Sequence, residues 1–438
     1  MAAACAHGDA HIAQRVCGHL WRRDADSYAH RFTGRGLEYD LLCVACAEQP
    51  AGDPEDLVTV CAACFEEMAE AGAWTTGERA VLSRPAIAER ATRLSFSHEM
   101  IRLPVALSAP LLDCQALPAG DGQVATSRWL GVTAAGTLVL IDLHEKHWMP
   151  IAELAGAGVD LEHQLALHVS PDGLTAAVVE DRGLSGVVVE LATGDITMMI
   201  DRGPHLVERA RFPLAFVRRE GQVLLVHATA WNRLDAFDPR SGACVSTRPG
   251  GPGEALAHNV EYVSSSLSAS PDGAWMADNG FTASATGMVS AFQLDAWLAE
   301  GGNRWEADDG PTKRYLCQRR DFWNGPLAWV APGTLAVWGY GPGRASLVPA
   351  VILFDVASGE ALRWFPGPHG EMVFDEWLFS LGDGDGVSVW DVATGERLLH
   401  DAGFQPLRYH PGTRQFLTPS TDGALFVVSR LVGDPSAP

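Results

Sequence analysis

The chain has 438 residues, of which 47% are hydrophobic and 20% charged, so it can bury a large core. Its 54 acidic residues outnumber its 32 basic residues and give a formal net charge of −22. This balance argues against a general nucleic-acid or anionic-membrane binder, because such proteins draw their affinity from basic side chains. The charge suits a protein with neutral or basic partners.

The N-terminal segment lacks the basic start and the apolar run of a signal peptide. The chain also has no apolar stretch of about 18 residues, the length that a transmembrane helix needs. We therefore expect a cytoplasmic protein without a membrane span. Every basic residue except Lys146 and Lys313 is an arginine, which suggests GC-rich coding and a bacterial host.

Two CxxC pairs lie near the N-terminus, Cys43-x2-Cys46 and Cys61-x2-Cys64, with fourteen residues between them. Each short turn directs two sulfurs at one point, so the two pairs together can surround Zn²⁺ with four thiolates. The spacing predicts a structural zinc site in a small zinc-binding α/β module. The alternatives are a reduced cysteine-rich appendage and, without a βαβ context to support it, a redox dithiol.

A further pair, Cys17-x-His19, lies upstream and could contribute to a second metal site, with His7, His11 or His30 as additional ligands. The alternative is a buried cysteine beside a surface histidine. Residues 83–94 have a helical composition and are expected to link this module, residues 1–96, to the rest of the chain.

One strand-ending phrase recurs along the remaining sequence, for example as VVELATG at 188–194 and VWDVATG at 389–395. Weaker copies lie at LIDLHEK (140–146), AFQLDAW (291–297) and LFVVSRL (425–431). The carboxylate-bearing position of the phrase falls at Asp142, Glu190, Asp238, Gln293, Asp355 and Asp391, with Val428 in the same register. The intervals run from 36 to 62 residues, which is close to the roughly 40–50 residues of a four-stranded propeller blade. Seven copies therefore predict an all-β fold with seven blades.

Residues 164–200 show how one unit is built. LALHV, LTAAVV, GVVVEL and ITMMI are predicted to be four short strands, and SPDG and ATGD are predicted to be the turns. The near-continuous valine run of the third strand is typical of a strand buried on both faces. A sheet of this size has exposed edges, and arrangement around an axis protects them.

The last unit contains only three strands. We expect the segment MIRLPVAL (100–107) to supply the fourth strand and to close the ring. The predicted organisation is a seven-bladed β-propeller over residues 97–432, followed by a disordered tail at 433–438.

Residues 353–364 (LFDVASGEALRW) and 389–399 (VWDVATGERLL) resemble WD-repeat and related YVTN-type propeller repeats. The resemblance covers about 100–432 and implies the propeller architecture, but one fold of this kind serves many functions. The Gly-His dipeptide of WD repeats is missing at the expected places. Trp-Asp occurs only at Trp390–Asp391, so the chain resembles a divergent member of this group.

The segment 294–325 interrupts the repeat and places aromatic residues among arginines. Such residues are enriched at binding hot spots, and insertions in repeat folds often carry the binding face. Trp305, Arg320 and Trp323 are therefore candidate partner-binding residues. The alternative is that TKRYLCQRR is simply the outer strand of the fourth blade, with the aromatic side chains packed against it.

The pattern of residues does not suggest a catalytic constellation. The sequence favours a non-catalytic, monomeric scaffold that binds a protein partner through a propeller and a zinc module. The alternatives are a propeller enzyme, such as a hydrolase, lyase or quinoprotein, and a small-ligand sensor that uses the central funnel. A cluster of functional residues at the mouth of the funnel would favour these alternatives.

Overall fold

The computed structural model describes residues 14–24, 27–32, 39–47, 57–60, 64, 68, 73–74, 86–120, 122–246, 262–282, 286–299, 313–320, 322–340, 348–382 and 384–435. Over these residues the chain is all-β, with only short helices. None of the helices there is long and apolar enough to cross a membrane.

The N-terminal module is built on a five-stranded sheet with the strand order β4-β1-β3-β2-β5. Its strands are β1 (Gln14–Cys17), β2 (Ser27–Phe32), β3 (Tyr39–Cys43), β4 (Leu57–Val60) and β5 (Ala73–Trp74). Two single-turn helices follow β1 and β3 directly, namely α1 (Gly18–Trp21) and α2 (Val44–Ala47). Strand β1 pairs in parallel with β3 and antiparallel with β4.

Seven antiparallel sheets account for the remaining strands of the described ranges. The first two contain β7 (Leu111–Ala116), β8 (Arg128–Thr133), β9 (Thr137–Asp142) and β10 (His147–Glu153), then β11 (Leu165–Val169), β12 (Thr175–Glu180), β13 (Ser185–Glu190) and β14 (Ile196–Asp201). The third has three described strands, β15 (Leu214–Arg219), β16 (Gln222–Ala230) and β17 (Arg233–Phe237). The fourth contains β18 (Tyr262–Ala269), β19 (Trp275–Thr282), β20 (Thr286–Gln293) and β21 (Lys313–Arg320), with helix α3 (Leu294–Leu298) after β20.

The last three sheets continue the same pattern. The fifth contains β22 (Leu327–Ala331), β23 (Thr334–Tyr340), β24 (Val348–Asp355) and β25 (Ala361–Pro366). The sixth contains β26 (Glu371–Asp375), β27 (Trp377–Gly382), β28 (Gly386–Asp391) and β29 (Glu396–Asp401). The seventh contains β30 (Arg408–His410), β31 (Gln415–Pro419), β32 (Leu425–Val432) and β6 (Ser95–Arg102). Repeated four-stranded antiparallel sheets are the strand arrangement of propeller blades.

In the second sheet the third strand is buried, as its valine run predicts. Every residue of β12 is buried, and so are the valines of β13, whereas the outer strand β14 is largely exposed. Leu130 and Val132 of the first sheet share an apolar cluster with Val178 and Val187 of the second. Burying each such side chain contributes about 1.5–3 kcal/mol, so packing between neighbouring sheets stabilises the fold.

The recurring carboxylate organises the turn between the third and fourth strands. Asp391 Oδ1 accepts a hydrogen bond from the amide of Ala393 (2.9 Å), and the Asp391 carbonyl accepts one from the amide of Gly395 (2.7 Å). Gly395 has a φ of +79°, a conformation that favours glycine. Equivalent side-chain bonds occur at Asp142, Asp238 and Asp355. The repeated phrase is therefore explained by turn chemistry.

The seventh sheet joins the segment that follows the N-terminal module to the last three strands of the described chain, as the three-strand count of the last unit predicts. Strand β6 pairs antiparallel with β32 along its whole length, from Ser95↔Val432 to Arg102↔Leu425. The strand starts and ends about five residues earlier than the predicted segment 100–107. Pro104 cannot donate to a ladder, and the outer position of β6 requires few apolar residues, so hydrophobicity was a poor guide to its start.

The first strands of six of the seven sheets line a common cavity of about 510 Å³. Strand β7 contacts both β11 of the next sheet and β30 of the last sheet. The sheets thus converge on one space through their first strands, as blades around an axis do.

The N-terminal sheet packs against the fourth and fifth sheets. Val16, Leu41 and Leu42 belong to the same continuous apolar cluster as Leu316 of β21 and Trp329 of β22. Residues 86–94, where a helix was expected, run as extended chain along the sixth sheet. The carbonyl of Ala88 and the amide of Arg90 bond with the backbone of Arg397 in β29. The module is thus connected to three different sheets.

Candidate metal centre

Two strands place a group of potential metal ligands at one edge of the N-terminal sheet. Strand β1 ends at Cys17 and strand β3 ends at Cys43, and each is followed by a single helical turn. Because the two strands run parallel, both ends lie at the same edge. The helical turns then bring His19 and Cys46 back over this edge.

A bidentate ion pair fixes the alignment of the two strands. Arg15 pairs with Asp40 across β1 and β3, and its Nε and Nη2 atoms donate to the two carboxylate oxygens at 2.9 Å each. Asp40 is 1% exposed, so the pair is shielded from solvent on one side. A slip of one residue would break this fork-to-fork contact, which therefore holds the two cysteine-bearing ends together.

The ligand atoms of Cys17, His19, Cys43 and Cys46 all lie within 4.8 Å of one another. His19 Nδ1 is 3.3 Å from Cys46 Sγ and 3.8 Å from Cys43 Sγ. Around tetrahedral zinc, bond lengths of about 2.3 Å to sulfur and 2.0 Å to nitrogen place neighbouring ligand atoms about 3.6 Å apart. The observed spacing brackets this value, so these four residues can bind a metal ion.

The electrostatics of the group also fit a cation. The three cysteines are each no more than 5% exposed, whereas His19 is exposed. Burial, together with the neighbouring thiols Cys43 and Cys17, raises the pKa of Cys46 to about 12. Burial is also the largest cause of the raised pKa of Cys17. Thiolates in this position need a positive charge between them, and a bound metal ion supplies it.

The sequence predicted these ligands as parts of two different sites. The structure joins Cys43 and Cys46 to Cys17 and His19, the pair expected at a second site. Cys61 lies outside the described residues, and the site of four thiolates stays a prediction. Cys64 is buried in the same apolar cluster as the other cysteines.

The direction of β4 bears on the second CxxC pair. Its last residue, Val60, pairs with Gln14 at the far end of β1, about 10 Å along the strand from Cys17. The described part of β4 therefore ends at the opposite end of the sheet from Cys17. The signal that the sequence offered for the observed group was the repeated pattern of an apolar strand ending in a cysteine, as in VCGH and LCVAC.

The predicted partner-binding residues are only partly described. Trp305 and the side chain of Arg320 lie outside the described residues, and residues 313–320 form the outer strand β21 of the fourth sheet. Trp323 stacks on Phe281 with ring centroids 4.5 Å apart, and its Nε1 donates to the carbonyl of Arg209 at 2.8 Å. Part of this segment therefore belongs to the fourth sheet or packs against it.

No protein-family model and no curated protein matches the sequence. Among solved structures, the chain is similar to one in "Crystal Structure of Mitotic Checkpoint Complex". The two chains share 12% identity with a TM-score of 0.47, and the match covers 80% of this chain and 96% of that chain. The class of the fold, repeated antiparallel sheets of the propeller kind, follows from the strand order and the shared cavity.

Proposed function

We propose that the chain is a non-catalytic scaffold that binds a protein partner and is stiffened by a structural Zn²⁺ ion. The observation that carries the proposal is the group of Cys17, His19, Cys43 and Cys46, which offers four protein ligands to one ion. Four protein ligands complete a tetrahedron, whereas catalytic zinc keeps one position open for water or substrate. The ion would therefore hold the module together and take no part in a reaction.

The rest of the scaffold, in this proposal, is a closed ring of seven blades over residues 97–432, with the module at 1–96 and a short tail at 433–438. Two observations support the ring. Strand β6 completes the last sheet, and β7 contacts the first strands of both neighbouring sheets. The proposal also includes a cytoplasmic location and a monomeric state.

Metal analysis of the purified full-length protein tests the zinc site. The wild type should carry at least one equivalent of zinc, and Cys46→Ser should lose one equivalent. Cys114→Ser is the matched control, because Cys114 is fully buried in β7 away from the module. If Cys46→Ser retains the metal content of the wild type, the site is not where we propose.

The second CxxC pair can be tested in the same way. If Cys17, His19, Cys43 and Cys46 hold the ion, the Cys61→Ser variant should retain the equivalent of zinc that the Cys46→Ser variant loses. If Cys43, Cys46, Cys61 and Cys64 form one site, Cys61→Ser and Cys46→Ser should release the same single equivalent.

The contact surface for the partner is proposed on the insertion 294–325, through Trp305 and Arg320. Chemical crosslinking in the native host, followed by capture of the protein, should recover a partner with the wild type and less of it with Trp305→Ala or Arg320→Ala. Val124→Ala is the control, because Val124 is 88% exposed in a loop of the first sheet. Equal recovery with all variants would place the contact elsewhere.

A further inference from the structure

The cavity shared by the first strands has a mixed lining that the scaffold function does not use. Its apolar walls include Phe212, Leu267 and Met372, and its polar groups include Arg211 and Arg408. At about 510 Å³, the cavity falls in the range of about 300–1,000 Å³ that is usual for small-molecule sites.

Arg211 is held firmly by its backbone and loosely by its side chain. Its amide donates to Ser265 Oγ at 2.9 Å and to Asn324 Oδ1 at 3.2 Å. Its carbonyl accepts a bond from Arg202 Nη1 at 2.6 Å. The position of the residue is thus fixed before any ligand arrives, a form of preorganisation that lowers the entropic cost of binding.

The guanidinium of Arg211 contacts two carboxylates, Asp181 in the turn after β12 and Glu371 at the start of β26. It lies 3.5 Å from Asp181 and 3.5 Å from Glu371, longer than the 2.7–2.9 Å typical of a charge-assisted hydrogen bond. The side chain of Glu371 is 58% exposed, so its ion pair with Arg211 is weak. A competing carboxylate can replace Glu371 at small cost, since the displaced side chain returns to water.

The second cation of the cavity is already paired with a buried carboxylate. Arg408 Nη2 lies 2.7 Å from Asp113 Oδ1. The Asp113 carboxylate also accepts bonds from the amides of Cys114 and Leu167.

The cavity also contains a histidine. Burial is the main cause that lowers the pKa of His168 to about 4, followed by the charges of Arg211 and Arg408. His168 is therefore neutral at physiological pH and can donate to or accept from a ligand without adding charge.

We propose that this cavity binds a small organic acid, whose carboxylate takes the place of Glu371 on Arg211 and whose apolar part packs against Phe212 and Met372. The size of the cavity and its apolar walls favour an acid with a hydrocarbon body over a bare inorganic anion. The inference is independent of the zinc proposal, because none of these residues belongs to the N-terminal module.

Isothermal titration calorimetry on the full-length protein tests the site, with sodium benzoate and sodium succinate as probes and sodium chloride at matched ionic strength as the blank. Arg211→Gln should weaken binding at least tenfold, because it removes the cation. Glu371→Gln should tighten binding several-fold, because it removes the competing carboxylate. The opposite signs separate a binding site from a general loss of structure.

Arg240→Gln is the control, because Arg240 forms an exposed ion pair with Glu190 outside the cavity. It should bind both probes as the wild type does, and all variants should retain the same zinc content. The proposal is overturned if neither probe binds to Glu371→Gln, or if Glu371→Gln binds more weakly than the wild type. Inorganic phosphate that binds as tightly as benzoate would overturn the assignment to organic acids.

Discussion

Replacing Arg202 with alanine should lower the free energy of unfolding by about 4 kcal/mol. The side chain is 4% exposed, and its guanidinium donates to four backbone carbonyls. These belong to Gly183 (2.8 Å), Arg211 (2.6 Å), Val207 (3.0 Å) and Ala210 (3.0 Å). The same group lies 4.9 Å above the ring of Phe212. One side chain thus organises the connection between the second and third sheets.

The magnitude follows from these contacts. Removing a donor from a buried acceptor costs about 1–3 kcal/mol, so four carbonyls set an upper range of about 4–12 kcal/mol. Relief of the desolvated charge and entry of water reduce this figure to about 4 kcal/mol. Burial lowers the pKa of Arg202 to about 10, so the side chain is still charged at neutral pH. Urea unfolding followed by circular dichroism at pH 7 measures the loss.

Arg202→Lys is the informative companion variant. It keeps the charge but lacks the planar fork, so it cannot reach all four carbonyls and should lie between the wild type and the alanine variant. A loss below about 1 kcal/mol in Arg202→Ala would refute the reasoning, because the carbonyls would then have found other donors.

Two further predictions concern stability. Trp390→Phe should lower the free energy of unfolding by about 1–2 kcal/mol, because Trp390 Nε1 donates to the buried Ser380 hydroxyl at 2.9 Å; unchanged urea unfolding would contradict this. Asp355 and Asp422 have lowered pKa values, because Ser358 and Ser420 respectively donate to them. This stabilisation is present above about pH 4 and is lost as the pH falls through the lower folded-state values. The slope of stability against pH should flatten below pH 4 in Asp355→Asn, and an unchanged slope would count against these bonds.

Short-range patterns were enough to predict the repeated sheets. The bonds from Ala393 and Gly395 to Asp391 span at most four residues, so each copy of the phrase specifies its own turn. The valine run of β13 specifies a buried strand for the same reason. The count of strands also predicted that an N-terminal segment would complete the last sheet. The bounds of β6 were harder to predict from the sequence, because an exposed outer strand has few hydrophobic residues to mark it.

The full set of metal ligands could not be predicted from short-range sequence patterns. The sequence marked Cys43 and Cys46 as ligands through their spacing, but the choice of their companions depends on which strand lies beside β3. The parallel pairing of β1 with β3, held by Arg15 and Asp40, joins residues far apart in the sequence and brings Cys17 beside Cys43. No local pattern encodes that neighbour.

The cavity shared by the first strands likewise depends on both short-range and long-range features of the chain. Local patterns predicted the sheets that surround it, since alternation and turn residues act over a few positions. The contact of Arg211, in the connection before β15, with Glu371 of β26 depends on how the third and sixth sheets are placed together. Turn and strand signals are short-range and can be read along the chain, whereas pairing between distant strands depends on burial and packing of the whole fold.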